Sequence, residues 1–167
     1  MERQIGRRLI GAAMALGVCA TLVSTATPAD ARPTATSPVR RAHARIEIGQ
    51  DAWALFQATN ASRGRFDVPK LLLDRQMSAV ARRHSAAMAR ADALFHTTDV
   101  GVYLHGIDWH MWGENVGYTP GDVASVQQAF MDSAPHRENI LNRSFRHVAI
   151  GTVRVNGTLW VTVFFYV

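Results

Sequence analysis

His147–Val167 reads HVAIGTVRVNGTLWVTVFFYV, and this stretch restricts the fold more than any other. Its first run alternates, Asn156-Gly157 is the strongest short hairpin signal, and the second run returns without a charge. On an extended strand Trp160, Thr162, Phe164 and Tyr166 share one face, while Leu159, Val161, Val163 and Phe165 share the other. Both faces are apolar, so the returning strand must be central and covered on both sides.

The covering elements are legible upstream. A first helix is predicted over Glu47–Ser62, with Trp53, Phe56 and Asn60 on one face and Gly64 ending it. A second starts at Asp74, which can cap it, and buries Met77, Val80, Ala81, His84, Met88 and Ala91 at helical spacing. His84 on that stripe reads as a hydrogen-bonded core residue. Ser85 cannot pair with it, since neighbours in a helix point about 100° apart. Phe95–Trp112 shows neither period and reads as a long loop. Thr119–Asp122, TPGD, starts a helix with Val123, Val126, Ala129 and Phe130 inward; Ala134-Pro135 ends it, and His136–Asn142 forms a short turn. Helices first, strands last and a covered sheet predict an α+β fold with a small central antiparallel sheet.

The N-terminal part is expected to lie outside that fold. Arg3, Arg7 and Arg8 precede the uncharged run LIGAAMALGVCATLVSTA, and Ala29-Asp30-Ala31 fits a small-x-small cleavage site. Residues 1–31 therefore read as a secretory signal peptide. Residues 32–45, RPTATSPVRRAHAR, read as a flexible basic linker, and residues 46–167 as one domain. The apolar run is too diluted by Gly, Thr and Ser for stable membrane insertion. Cys19, the only cysteine, leaves with the leader, so no disulfide, thiol nucleophile or Cys-ligated zinc is available to the domain. The formal net charge of +5 is carried almost wholly by dispersed arginines. With export, that pattern predicts a solvated basic face and no nucleic-acid partner.

Familiar catalytic patterns are absent. There is no HExxH, no GxSxG and no phosphate-binding loop, and the His136-Arg137-Glu138 spacing of a deaminase lacks its cysteine pair. What remains is His96, Glu114 within Gly113–Gly117 (GENVG, read as a glycine-bracketed turn), and His136 after Pro135. Such a set is compatible with a divalent-metal site or acid–base chemistry, and equally with Glu114 stapling loops through backbone N–H groups.

Phe95–Thr97 (FHT), Gly113–Gly117 (GENVG) and Ala129–Val153 (AFMDSAPHRENILNRSFRHVAIGTV) resemble the CAP superfamily of cysteine-rich secretory, antigen 5 and pathogenesis-related-1 proteins, in its disulfide-free bacterial form. The likeness runs from about Ile46 to Val167. It implies an α-β-α sandwich with a cleft lined by two histidines and two acids. His96 and His136 match the histidines and Glu114 one acid; the second acid has no clear counterpart, and Asp132 and Ser133 stand near its place.

The resemblance implies a secreted, monomeric, non-enzymatic module that binds a small molecule, lipid or cell-wall ligand at a cleft formed by His96, Glu114, Ser133 and His136. No cofactor is required, although a divalent metal such as zinc could sit on His96 and His136. The alternative is an extracellular hydrolase acting on peptide or cell-wall material, with Glu114 as base, His136 beside it, and Ser133 in a Ser–His variant. Arg137, Asn139 and Asn142 are expected to be struts of the corner, and the aromatics between Phe95 and Trp112 loop anchors.

Overall fold

The computed structural model describes residues 48–107 and 109–167. The expected leader, residues 1–31, the linker, residues 32–45, and the start of the domain at Ile46 lie outside the described residues. Helix α1 spans Gln50–Arg65, strand β1 Leu72–Leu73, helix α2 Arg75–Ala91 and the single turn α3 Val100–Tyr103. Strand β2 follows at Trp112–Thr119, then helices α4 (Val123–Asp132) and α5 (Ala134–Leu141), and strands β3 (His147–Val155) and β4 (Thr158–Tyr166).

The hairpin forms as its sequence requires. β3 and β4 pair antiparallel from His147↔Tyr166 to Val155↔Thr158. Asn156 (φ 50°) and Gly157 (φ 81°) make the two-residue turn in the left-handed region that matches strand twist. β4 is central, in the order β1-β3-β4-β2, and Leu159–Tyr166 is buried throughout. Its two faces feed two cores. Leu159, Val161, Val163 and Phe165 pack with Leu55 of α1, Val126 and Phe130 of α4, and Ile140 of α5. On the opposite face Phe164 and Tyr166 meet Met77 and Ala81, and Trp160 meets Met88, all from α2. The result is the α-β-α sandwich.

The sheet is mixed, however, rather than wholly antiparallel. Leu72 and Leu73 pair parallel with His147 and Val148 at its edge. This two-residue strand is the lead-in to α2, held by Leu72 N–H to Arg146 C=O (2.8 Å) and Asp74 N–H to Val148 C=O (2.8 Å). A run this short carries no alternation from which to read it.

Asp74 caps α2, its carboxylate accepting the Met77 N–H at 2.8 Å, and Asp92 closes the helix with φ 48°. Met77, Ala81, His84 and Met88 are buried as expected; Ala91, in the last turn, is exposed. α1 departs further. Its buried face carries Ala52, Leu55, Thr59 and Arg63, whereas Trp53 is 43% exposed and rests on Phe56 with ring centroids 5.3 Å apart. That face is partly polar because Arg63, Asn60 and Thr59 find buried partners elsewhere in the chain; of the expected face, Asn60 is buried and Phe56 packs at the edge of the core, and only Trp53 turns outward. In α4 the fourth inward residue is Gln127, not Ala129, since Gln127 hydrogen-bonds Thr59 and Ser62 of α1.

Candidate functional site

GENVG is not a turn. Gly113–Gly117 lies within β2, paired antiparallel with β4 from Trp112↔Tyr166 to Thr119↔Leu159. The glycines serve close packing across the strand. A Cβ on Gly113 would fall 2.5 Å from Asn139 Oδ1 of α5, and one on Gly117 would fall 3.0 Å from the Phe130 ring of α4.

Consecutive strand residues point to opposite faces, and this divides the candidate site. Glu114 stands opposite Phe164, on the α2 face; Asn115 stands opposite Val163, on the α4/α5 face. Glu114 is 7% exposed and well provided with donors. The His96 ring donates from Nδ1 to Oε2 at 2.7 Å, the Thr97 N–H donates to the same oxygen at 3.0 Å, and the Thr97 hydroxyl donates to Oε1 at 2.8 Å. His84 Nδ1 lies 3.8 Å from Oε1. A carboxylate in a low-polarity setting is retained only with such donors.

The three histidines around it differ in environment. The His96 side chain is 61% exposed, and its pKa is raised above 6.5 by the hydrogen bond to Glu114, with the carboxylate charge adding and desolvation opposing. With Nδ1 committed to Glu114, Nε2 is the nitrogen left to face outward. His84 is the hydrogen-bonded core histidine expected, its Nδ1 3.0 Å from Thr162 Oγ1. Burial lowers its pKa, repulsion from His96 adds, and Glu114 pulls the other way. Ser85 does not pair with His84 directly, yet its hydroxyl shares the same Thr162 oxygen at 2.9 Å.

His136 approaches from the other face. It lies in α5, half-buried, with its ring 5.0 Å from that of Phe130. Its carbonyl accepts from Asn115 Nδ2 at 3.0 Å, and Asn139 Nδ2 donates to Asn115 Oδ1 at 2.9 Å, so the two asparagines tie α5 to the edge strand. Burial lowers the His136 pKa, and the charge of His96 lowers it further. Among the described residues no hydrogen bond or ion pair joins the His136 ring to Glu114 or His96. His96 and Glu114 are in contact; His136 is a neighbour.

Ser133 sits half-buried between α4 and α5, its carbonyl accepting the Arg137 N–H at 2.9 Å and its hydroxyl making no capping bond. Asn139 and Asn142 are the struts expected, while Arg137 is exposed and reaches the Met131 carbonyl. Trp109 and Trp112 pack on the α2-side core, and His105 and His110 are exposed. Thr97, which supplies two of Glu114's donors, closes the FHT match but is not singled out by the sequence as a site residue.

The donor set does not make a metal cage. Both Glu114 oxygens already accept protein hydrogens, and among the described residues no three His, Asp or Glu side chains are arranged around one point. A zinc ion would have only outer ring nitrogens of His96 and His136, short of the three protein ligands of an open catalytic site. Two open grooves, of about 830 and 620 Å³, lie elsewhere and have none of His96, Glu114 or His136 in their walls.

The sequence pattern of the "Cysteine-rich secretory protein family" (CAP) matches residues 56–166. The uncharacterized protein YkwD of Bacillus subtilis is 30% identical over 114 residues, which cover 65% of this chain and 44% of that protein. An extracellular protein containing an SCP domain from Bacillus anthracis is 26% identical with a TM-score of 0.63, over 70% of this chain and 40% of its own. The chain thus spans less than half the length of these two relatives. An outer surface protein of Borrelia burgdorferi shares the fold, with a TM-score of 0.63 at 17% identity, over 70% of this chain and 92% of its own.

Proposed function

This chain belongs to the Cysteine-rich secretory protein (CAP) family, and from that premise we propose that it is a secreted, non-enzymatic module holding a small apolar or cell-envelope ligand against His96. The observation that carries this reading is the clamp on Glu114. Two donors from Thr97 and one from His96 occupy its oxygens, so the carboxylate orients an imidazole rather than standing open as a general base. His96 is exposed and oriented, with Nε2 available to a ligand carboxyl or hydroxyl. Trp109 and Trp112, partly buried on the same side of the sheet, supply apolar surface nearby in the chain. Export agrees with extracellular and outer-surface relatives, and no helix among the described residues is long and apolar enough to cross a membrane.

The hydrolase alternative needs Glu114 or Ser133 as a free reactive group. Glu114 is engaged, and Ser133 shows no hydrogen bond to His136. Native mass spectrometry of the protein recovered from culture medium tests the choice. A bound small mass, lost in His96→Ala and Glu114→Gln while the fold persists, is the expected result. Turnover of peptide or cell-wall fragments that Glu114→Gln abolishes would overturn it. Zinc titrated into the same protein is expected to bind weakly, and only with both His96 and His136 present.

A further inference from the structure

The two open grooves are lobes of one channel, for Gly49, Gln50, Arg82 and Thr152 line both. The channel runs between the start of α1, the outer face of α2 and the hairpin. Its charge is one-sided. Among the described residues that border it, Arg82, Arg83, Arg90 and Arg154 stand against the single carboxylate of Asp51, which already pairs with Arg154 at 2.8 Å. Among the described residues no acid pairs with Arg82, Arg83 or Arg90, and all three are exposed. Arg82 and Arg90 are eight residues apart on α2, about 12 Å of helix rise, so the cationic groups repeat along the channel.

One wall is also the N-terminus of α1, where Gly49 offers no side-chain cap. Asp51 already places an acid in that first turn, so the guanidinium groups are the donors left to suit phosphate oxygens. The channel shares no residue with the His96–Glu114 centre. We propose that it binds a linear phosphate-bearing polymer of the cell envelope, one phosphate at Arg82 and a later one at Arg90. The module would thereby be retained at an anionic wall while the His96 site stays free.

The test is a binding titration of the full secreted chain with short-chain inorganic polyphosphate at several salt concentrations, followed by calorimetry. The paired variant Arg82→Gln with Arg90→Gln is expected to bind about tenfold more weakly and with a shallower salt dependence. Arg75→Gln, on the same helix but outside the channel, should bind as the parent does. Both positions are exposed and glutamine keeps the helix, so circular dichroism should be unchanged. Equal losses in Arg75→Gln would show diffuse charge attraction only and overturn the site. Binding of polygalacturonate with the same affinity and the same sensitivity would overturn the assignment to phosphate, and no binding by the parent would overturn the proposal outright.

Discussion

Arg63 is a fully buried guanidinium whose partners are backbone carbonyls: Pro69 at 2.7 Å, Ile140 at 2.7 Å, Asn142 at 2.9 Å and Phe145 at 3.4 Å. Ile140 and Asn142 belong to the end of α5, where unsatisfied carbonyls carry the negative end of the helix dipole. One side chain therefore joins α1 to the segment that carries His136. Burial and the charges of Arg146 and Arg143 bring its pKa down to about 10, still well above neutrality, so it remains a cation. Arg63→Met is expected to lower the free energy of unfolding by about 3 kcal/mol, because buried carbonyls lose their donor. Urea denaturation measures it, and a loss within experimental error would show the carbonyls finding water instead. At Glu114 the expected effect is on a neighbour. Since its hydrogen bond is the main cause of His96's raised pKa, Glu114→Gln should lower that pKa, read from the ring-proton shifts by NMR. An unmoved titration would mean that the contact is not kept in solution.

At the scale of elements, what the sequence disclosed depended on whether a residue's reason for being where it is was local. The hairpin was readable to the residue, because Asn156-Gly157 and the alternation around it express backbone twist and pleat. The capped, amphipathic α2 was readable for the same reason. The α1 face was readable only in part, since its polar members Thr59 and Arg63 are satisfied by partners as distant as Gln127 and Ile140. β2 was not: GENVG has the composition of a turn, and its glycines mark approach by α4 and α5, which no local pattern states. The same distinction governs two substitutions. Gly151 in β3 lies directly under α2, where a Cβ would fall 2.0 Å from the Ala81 carbonyl carbon, so backbone must move. Gly151→Ala should cost about 3 kcal/mol, at the upper end of overpacking effects. Gly157→Ala has open space and only its positive φ to resist, and should cost about 1 kcal/mol. Thermal denaturation of the pair checks the order, and a reversal would contradict the packing of α2 on the sheet.

For the molecule as a whole, the site is where the layers meet at the edge strand. That is why sequence could nominate His96, Glu114 and His136 without stating how they relate. Glu114 points from β2 to the α2 face, His136 lies in α5 on the opposite face, and His84, thirty residues upstream of Glu114, enters through α2. The histidines couple this meeting of layers to pH, and their signs differ. His84 and His136 have pKa values lowered by burial, so each favours folding fully above pH 6.5 and loses that contribution as pH falls through its folded value. His96, with its pKa raised, contributes in full below 6.5 and loses it as pH rises through the folded value. His96 is mostly exposed, so solvent screens its pairing, whereas His84 is 3% exposed and has no such relief. The two partly or wholly desolvated rings should therefore prevail, and the melting temperature should fall between about pH 7 and about pH 5. His84→Gln, which removes the titrating ring, should flatten that fall while lowering stability at pH 7. A melting temperature that rises on acidification would mean that the pairing of exposed His96 with Glu114 outweighs the desolvated rings, and that the layers meet less closely at β2 than their contacts imply.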